Sequence, residues 1–180
     1  MKTRDYILCG LFTAVMCICA FITIPLFFTP IVFTLQTFAV STAGAVLGSK
    51  KGALSIIIYT LIGICGLPVF SSMTGGIGAL AGLTGGYIWG FIPEAFVCGF
   101  FAERLFSKSL SDSKNILRLF LSMVIGLIVV YACGTMQYMA ISNVSFKAAI
   151  ISTVLPFILF DIIKIMLSSI VSLYVKKYMA

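Results

Sequence analysis

The chain has 180 residues, of which 61% are hydrophobic and 9% are charged, and its formal net charge is +7. Soluble domains are about 45–50% apolar and about 25% charged, so this composition excludes a soluble globule, a disordered tail and a nucleic-acid-binding protein. Residues 6–49 and 52–93 contain no Lys, Arg, Asp or Glu, and they lack the alternation of membrane barrel strands. The composition therefore predicts one all-α integral membrane domain, a helix bundle that covers residues 1–180 in the lipid bilayer.

Charge and turn signals divide the chain into six predicted transmembrane helices. Lys2 and Arg4 precede an apolar segment that is longer than the core of a signal peptide, so we interpret this segment as the first span. Pro25 and Pro30 bracket its end, because proline cannot continue a regular helix. The predicted spans are residues 6–28, 33–48, 53–66, 85–105, 117–141 and 148–175.

The distribution of basic residues predicts the orientation of these spans. With the N-terminus inside, only Lys147 lies on the outer side, and Lys164 lies within a span. Basic residues concentrate in cytoplasmic loops, so this asymmetry predicts that both termini are cytoplasmic in a multi-pass protein of the cell membrane. The basic residues on the predicted inner side are Lys2, Arg4, Lys50, Lys51, Arg104, Lys108, Lys114, Arg118, Lys176 and Lys177.

Asp161 and Lys164 are the main candidates for a ligand site, because they lie about midway along the sixth predicted span. A charge at that depth costs about 2.5–3.5 kcal/mol on insertion scales and usually serves a function. Residues three apart share one face of a helix, so the two side chains could bind a ligand together or form a structural ion pair. Pro156 is expected to kink the helix just before Asp161, as helices that line cavities often do.

Other polar and flexible features are weaker candidates. Glu94 follows Pro93 and could have a functional role in the site or act as a structural counter-ion for Lys164. Gln36 could bind a ligand or form a hydrogen bond with the backbone near Pro30. The glycine-rich segment 75–87 has no phosphate-binding motif and is interpreted as an outer loop that covers a pocket, or as a packed re-entrant connection.

Two pairs of small residues are spaced for close helix packing. Gly10 with Ala14, and Gly44 with Gly48, could each pack inside the bundle or against a partner protein. The six cysteines lie in apolar segments without Cys-x-x-Cys spacing and the chain has no histidine, so neither a disulfide framework nor a metal site is expected. The sequence contains no Walker A motif, so transport driven by ATP would take its energy from partner subunits.

Several motifs resemble, in order and spacing, those of the BioY family, and the resemblance covers roughly residues 8–175. One departure is Leu83, where the family often has proline before the Thr-Gly-Gly-Tyr motif. The matching segments are residues 30–37 (PIVFTLQT), 47–48 (LG), 52–55 (GALS), 59–70 (YTLIGICGLPVF), 84–87 (TGGY) and 161–164 (DIIK).

The resemblance implies a six-helix, biotin-binding S component of an energy-coupling factor (ECF) transporter. Such a subunit binds biotin from outside and works with a transmembrane coupling subunit and two cytoplasmic ATPase subunits, without a cofactor of its own. The family's Asp-x-x-Lys pair, used in biotin binding, falls on Asp161 and Lys164. The Gly10 and Ala14 face resembles the contact of S components with the coupling subunit.

The chemistry of biotin agrees with these residues. Its ureido N–H groups suit a carboxylate, its carbonyl or its anionic tail suits an ammonium, and its apolar ring suits aromatic walls. Three alternatives stay open: a biotin carrier that acts alone or as an oligomer, an intramembrane enzyme that uses Asp161 and Glu94 as acid and base, and a proton or ion channel. A channel would need a polar stripe along several spans, and only the sixth span has a clear one. The predicted substrate-binding residues are Asp161, Lys164, Gln36, Tyr87, Gly86, Phe70 and Trp89.

Overall fold

The computed structural model describes residues 2–27, 29, 31–107 and 111–179, and it is mostly α-helical. Pro30 and Lys108, which entered the predictions above, lie outside these described residues. A short 3₁₀ helix, Ser71–Met73, lies between the third and fourth α-helices. The elements are α1 Thr3–Phe21, β1 Thr23–Ile24, β2 Phe33–Thr34, α2 Gln36–Leu47, α3 Ser49–Ile64, α4 Ile77–Ala81, α5 Gly85–Leu105, α6 Asp112–Ser142, α7 Phe146–Thr153 and α8 Ile158–Met179.

Within the described residues, four helices are long and apolar enough to cross a membrane, namely α1, α5, α6 and α8 as far as Tyr178. Helices α2 and α3 have 12 and 16 residues, and at about 1.5 Å per residue each is shorter than a bilayer core of about 30 Å. Gly48 joins α2 to α3 with a φ of 84°, a conformation that glycine adopts without strain. The chain is therefore a helical, multi-pass membrane protein.

The observed helices differ from the predicted spans mainly at the beginning of the chain. Helix α5 has the predicted bounds 85–105, whereas α1 ends at Phe21 although the first span was predicted to continue to residue 28. The segment after α1 forms an antiparallel pair with β2, in which Thr23 lies opposite Thr34 and Ile24 opposite Phe33. This pairing provides hydrogen-bond partners for backbone that would otherwise be unsatisfied beyond the helix end.

The sixth predicted span consists of two helices. Helix α7 ends at Thr153, the chain turns through residues 154–157, and α8 begins at Ile158. The predicted break at Pro156 is thus confirmed. Directly after this turn, Asp161 N donates to Phe157 O at 2.8 Å.

Charged side chains gather at one end of the bundle. Lys51 Nζ lies 2.6 Å from Asp5 Oδ1, and Lys177 Nζ lies 2.6 Å from Asp112 Oδ2. Lys176 Nζ donates to the backbone oxygen of Ala45 at 2.6 Å. These contacts join the N-terminal ends of α1 and α3 to each other, and they join the C-terminal end of α8 to the N-terminal end of α6 and to the C-terminal end of α2.

Glycine and alanine allow the central helices to approach closely. A Cβ atom on Gly44 would lie 2.5 Å from the backbone oxygen of Ala95, and one on Gly99 would collide with the backbone at Gly48 and Ser49. Helices α2 and α3 therefore pack tightly against α5. The pair Gly44 and Gly48 is used inside the bundle, which decides one of the alternatives left open by the sequence.

Candidate functional site

A cavity lies toward the ends of the helices that are opposite to the charged end. It is bounded by the beginnings of α2, α5 and α8, by the middle of α6 and by the end of α7, and it encloses about 570 Å³ of empty space including its open mouth. Four of the predicted substrate-binding residues line this cavity, namely Gln36, Tyr87, Asp161 and Lys164.

The Asp161–Lys164 ion pair is the charged centre of the cavity wall. Both side chains are on the first two turns of α8, directly after the break at Pro156, and Lys164 Nζ lies 2.5 Å from Asp161 Oδ1. Asp161 is only 3% exposed and Lys164 only 6% exposed. A buried pair of this kind needs further hydrogen bonds, because contact between the two charges alone does not repay their removal from water.

Neighbouring side chains and one backbone carbonyl provide those hydrogen bonds. Lys164 Nζ donates to Thr34 O at 2.8 Å and to Thr37 Oγ1 at 3.1 Å, and it lies 4.2 Å from the centre of the Phe33 ring. Thr37 Oγ1 in turn donates to Asp161 Oδ1 at 3.0 Å, and the Tyr131 hydroxyl donates to Asp161 Oδ2 at 2.5 Å. The start of α2 and the middle of α6 therefore hold the pair from two sides.

The predictions above did not assign Thr34, Thr37 or Tyr131 to the site. The two threonines flank Gln36 within the motif of residues 30–37, so that motif was a signal that could have found them. Tyr131 lies in a long apolar segment, where a tyrosine carries no comparable signal.

Gln36 lines the cavity, and hydrogen bonds to neighbouring side chains hold its amide in place. Its Nε2 donates to the Tyr59 hydroxyl at 2.9 Å, and its Oε1 accepts from Thr34 Oγ1 at 3.1 Å. Tyr59 donates onward to Val69 O at 3.0 Å and makes an edge-on ring contact with Phe70 at 5.5 Å. Phe70 is fully buried and lies outside the described lining of the cavity, so it supports Gln36 through Tyr59.

The predicted residues on α5 fall on different faces. Tyr87 lines the cavity, and its hydroxyl donates to Thr153 O at 3.0 Å. Gly86 faces α6, where a Cβ atom would lie 2.6 Å from Cys133 O. Trp89 is 46% exposed, and in the described part of the chain neither it nor Gly86 borders the cavity; their predicted contact with a ligand stays a prediction.

Glu94 is buried outside the cavity. Its side chain is fully inaccessible, its Oε1 accepts from Ser41 Oγ at 3.1 Å, and its Oε2 has no hydrogen-bond partner among the described residues. The ion-pair partner of Lys164 is Asp161. The described structure therefore does not bring Glu94 and Asp161 together as an acid–base pair in one cavity.

The predicted partner-binding residues Gly10 and Ala14 are both exposed on α1. No described atom lies within 4 Å of the position that a Cβ atom on Gly10 would occupy, apart from the atoms of its own helix and chain neighbours. The small-residue face of α1 is thus open, in contrast to Gly44 and Gly48.

The fold and the cavity define a helical membrane protein with a buried charged pair in a cavity wall. The BioY family model matches residues 1–180, and the chain belongs to the BioY family. It is 39% identical over 174 residues to "Biotin transporter BioY" of Thermotoga maritima, which covers 97% of this chain and 96% of that protein. It is 36% identical over 166 residues to "Biotin transporter BioY" of Rhizobium etli, covering 91% and 88%.

A solved structure has the same fold. The crystal structure of "the S-component for biotin from an ECF-type ABC transporter" matches with a TM-score of 0.88 and 28% sequence identity, over 98% of this chain and 95% of that one. The overall arrangement of the helices is therefore similar in both proteins.

Proposed function

We propose that the chain is the biotin-binding membrane subunit of an ECF-type transporter, which captures biotin on the outer side and delivers it inward with an ECF energy-coupling module. One observation carries the proposal: in a member of the BioY family, the nearly buried Asp161–Lys164 pair lies in the wall of a cavity. An ion pair is costly at this depth, and a site that binds a polar ligand explains why it is retained.

The cavity suits biotin chemically. Asp161 offers carboxylate oxygens to ureido N–H groups, and Gln36 has an amide that can meet polar ligand atoms. Aromatic and aliphatic side chains, among them Tyr87, Phe91 and Phe157, provide apolar walls for the thioether ring. Biotin is the transported ligand in this proposal, and no cofactor is required.

We also propose a single transmembrane domain over residues 1–180 with six spans and both termini in the cytoplasm. The gathering of Lys51, Asp112, Lys176 and Lys177 at one end of the bundle supports it, because basic residues favour the cytoplasmic side. The cavity then opens outward. Helices α2 and α3 would act as the two short spans, with β2 and the loop after α3 extending them toward the outer surface.

The proposed partners are a transmembrane coupling subunit and two cytoplasmic ATPase subunits, which would consume the ATP. The open Gly10 and Ala14 face of α1 supports a contact with the coupling subunit, because small residues allow another helix to approach closely. The chain carries no nucleotide-binding motif of its own, and its basic ends suit the cytoplasmic membrane surface rather than a nucleic acid. The enzyme alternative has no support, since Glu94 is outside the cavity and the curated relatives above carry the name of biotin transporters.

The test is direct binding of biotin to the purified chain in detergent, measured by isothermal titration calorimetry without ATP. We expect saturable binding with one site per chain. Absence of heat with biotin, together with binding of another vitamin, would overturn the substrate assignment. Uptake assays with and without the coupling module separate the proposal from a carrier that acts alone or as an oligomer, because only such a carrier would transport biotin without the module.

A further inference from the structure

An apolar groove lies on the surface of the bundle between α6 and α8, outside the ligand cavity. On α6 it is lined by Ser113, Ile116, Leu117 and Phe120, and on α8 by residues within 162–167. Every described lining side chain except that of Ser113 is apolar. The lining side chains of α8 are about half exposed, so they face the surroundings of the bundle, whereas Asp161 and Lys164 on the same helix are buried. We call this feature the α6–α8 groove.

The end of the groove at Ser113 carries an excess of positive charge. Asp112 precedes Ser113 and forms an exposed ion pair with Lys177 at 2.6 Å. Lys114 follows Ser113 and is exposed, and Arg118 lies one turn further along α6. Three basic side chains and one carboxylate therefore surround the point at which the groove begins, and this arrangement favours an anionic group there.

The length of the groove matches one leaflet of a bilayer. At about 1.5 Å per residue, Leu167 and Ile162 lie about 15 and 22 Å before Lys177 along α8. The hydrocarbon of one leaflet is about 15 Å thick, half of a bilayer core of about 30 Å. The groove thus extends from the level of the basic residues to about the middle of the membrane.

We propose that the α6–α8 groove binds a phospholipid with an anionic headgroup, whose acyl chain lies along the groove and whose phosphate lies at Lys114 and Lys177. Under the orientation proposed above this lipid belongs to the cytoplasmic leaflet. Basic residues at the cytoplasmic ends of membrane helices bind anionic headgroups. The binding of the lipid is a separate property from the capture of biotin, because the groove and the cavity have no lining residue in common among those described.

The side chains of the groove favour a lipid over a transmembrane helix of a partner. Close packing of membrane helices uses small residues, and no glycine or alanine is among the described lining residues. The groove is lined instead by long, flexible side chains such as those of Leu117 and Met166, which adapt to an acyl chain. The exposed Gly10 and Ala14 face of α1 has the opposite character.

The experiment is native mass spectrometry of the purified, delipidated chain. Phosphatidylglycerol and phosphatidylcholine with identical acyl chains are added in equal amounts, so that only the headgroup differs. We expect the wild-type chain to retain one phosphatidylglycerol molecule in preference to phosphatidylcholine. Lys114→Gln with Lys177→Gln should lower this preference about 20-fold, because each basic residue near an anionic lipid contributes about a fivefold change in affinity.

A second variant tests the place of the acyl chain. Leu117→Trp with Met166→Trp fills the groove and should abolish the retention of phosphatidylglycerol. The matched control is Ile128→Trp with Met136→Trp, because both residues are exposed on α6 and lie outside the described lining of the groove. The control for charge is Lys50→Gln with Lys147→Gln, which removes two exposed lysines elsewhere. Both controls should retain the lipid as the wild-type chain does.

Photo-crosslinking of the wild-type chain tests the same proposal without a variant that has to fold. Phosphatidylglycerol with a diazirine in its acyl chain should label residues within 116–120 and 162–167, as mapped by peptide mass spectrometry. An even distribution of the label over the exposed residues of the other helices would overturn the proposal.

Other outcomes would assign the groove differently. Equal retention of the two lipids by the wild-type chain, or wild-type retention by the groove-filling variant, overturns the proposal. A dimer in the native mass spectrum that the groove-filling variant removes, with lipid retention unchanged, assigns the groove to a second copy of the chain. Loss of module-dependent biotin uptake with unchanged lipid retention assigns it to a partner helix. The lipid measurements contain no biotin, so their failure leaves the proposed function untouched.

Discussion

Asp161 and Lys164 are two opposite charges that the fold removes almost completely from solvent. Each charge near the middle of a membrane span costs about 2.5–3.5 kcal/mol on insertion scales. Their contact at 2.5 Å, with bonds from Thr37 and Tyr131, offsets part of that cost. A purely structural pair could be replaced by apolar residues with little loss or even a gain in stability, so replacement of both charges together separates a structural role from ligand binding.

The double substitution Asp161→Leu with Lys164→Met should leave the chain folded but unable to bind biotin. Either single substitution strands the other charge and costs about 3–5 kcal/mol of stability, so Asp161→Asn or Lys164→Met alone would mix unfolding with loss of binding. Size-exclusion chromatography in detergent reports folding, and calorimetry with biotin reports binding. A monodisperse double variant with unchanged affinity would show that the pair is not part of the ligand site.

The polar residues of the site could be predicted to very different extents. Asp161, Lys164 and Gln36 stand out because a charged or amide side chain is expensive in an apolar span. Tyr131 could not be predicted, because its role depends on which face α6 turns toward α8. For Trp89 and Phe70 the sequence indicates only an aromatic character suited to a ligand ring. The rotation of α5 that exposes Trp89 and the burial of Phe70 against Tyr59 arise from tertiary packing.

At the scale of elements, proline and charge predict helix ends well where local geometry decides them. The break at Pro156 and the bounds of α5 follow from such signals. The end of α1 at Phe21 cannot be predicted from proline and charge, because it depends on strand pairing between Thr23 and Thr34. A hairpin of two residues per strand has no periodic pattern that a sequence could display, and Pro25 therefore suggested a later end than the one observed.

Pro156 should matter for binding through the direction in which α8 begins. Proline removes a backbone donor and clashes with a continuous helix, and the turn at residues 154–157 brings Phe157 and Asp161 to the cavity wall. Pro156→Ala is expected to let α7 and α8 join, raising helix content in circular dichroism and lowering biotin affinity in calorimetry. The exposed Pro68, in the loop after α3, gives the control Pro68→Ala, for which affinity should stay the same. Wild-type affinity in Pro156→Ala would mean that the break does not position Asp161.

At the scale of the whole molecule, the two pairs of small residues have different surroundings. Gly44 and Gly48 pack against α5 inside the bundle. Gly10 and Ala14 lie instead on an exposed face of α1. That face also carries the exposed side chains of Ile7, Leu11 and Ile18. Sequence spacing alone could not distinguish the two pairs, because both have the same four-residue interval. The first pair therefore contributes to packing within the bundle. The second pair is left accessible to a transmembrane helix of a partner subunit.

Bulky side chains on the Gly10 and Ala14 face should therefore reduce biotin transport and leave biotin binding unchanged. Gly10→Leu with Ala14→Leu places two bulky side chains where a partner helix would approach, so biotin uptake by cells that also produce the coupling module should fall strongly. Calorimetry on the purified variant should give the wild-type affinity, because no described residue outside α1 packs on Gly10 and the cavity is formed by other helices. Ala132 and Ala140 are small and exposed on α6, and Ala132→Leu with Ala140→Leu tests whether bulk on any lipid-facing helix has the same effect. If both double variants reduce uptake equally, or if the α1 variant transports biotin normally, the Gly10 and Ala14 face is not where the coupling subunit binds.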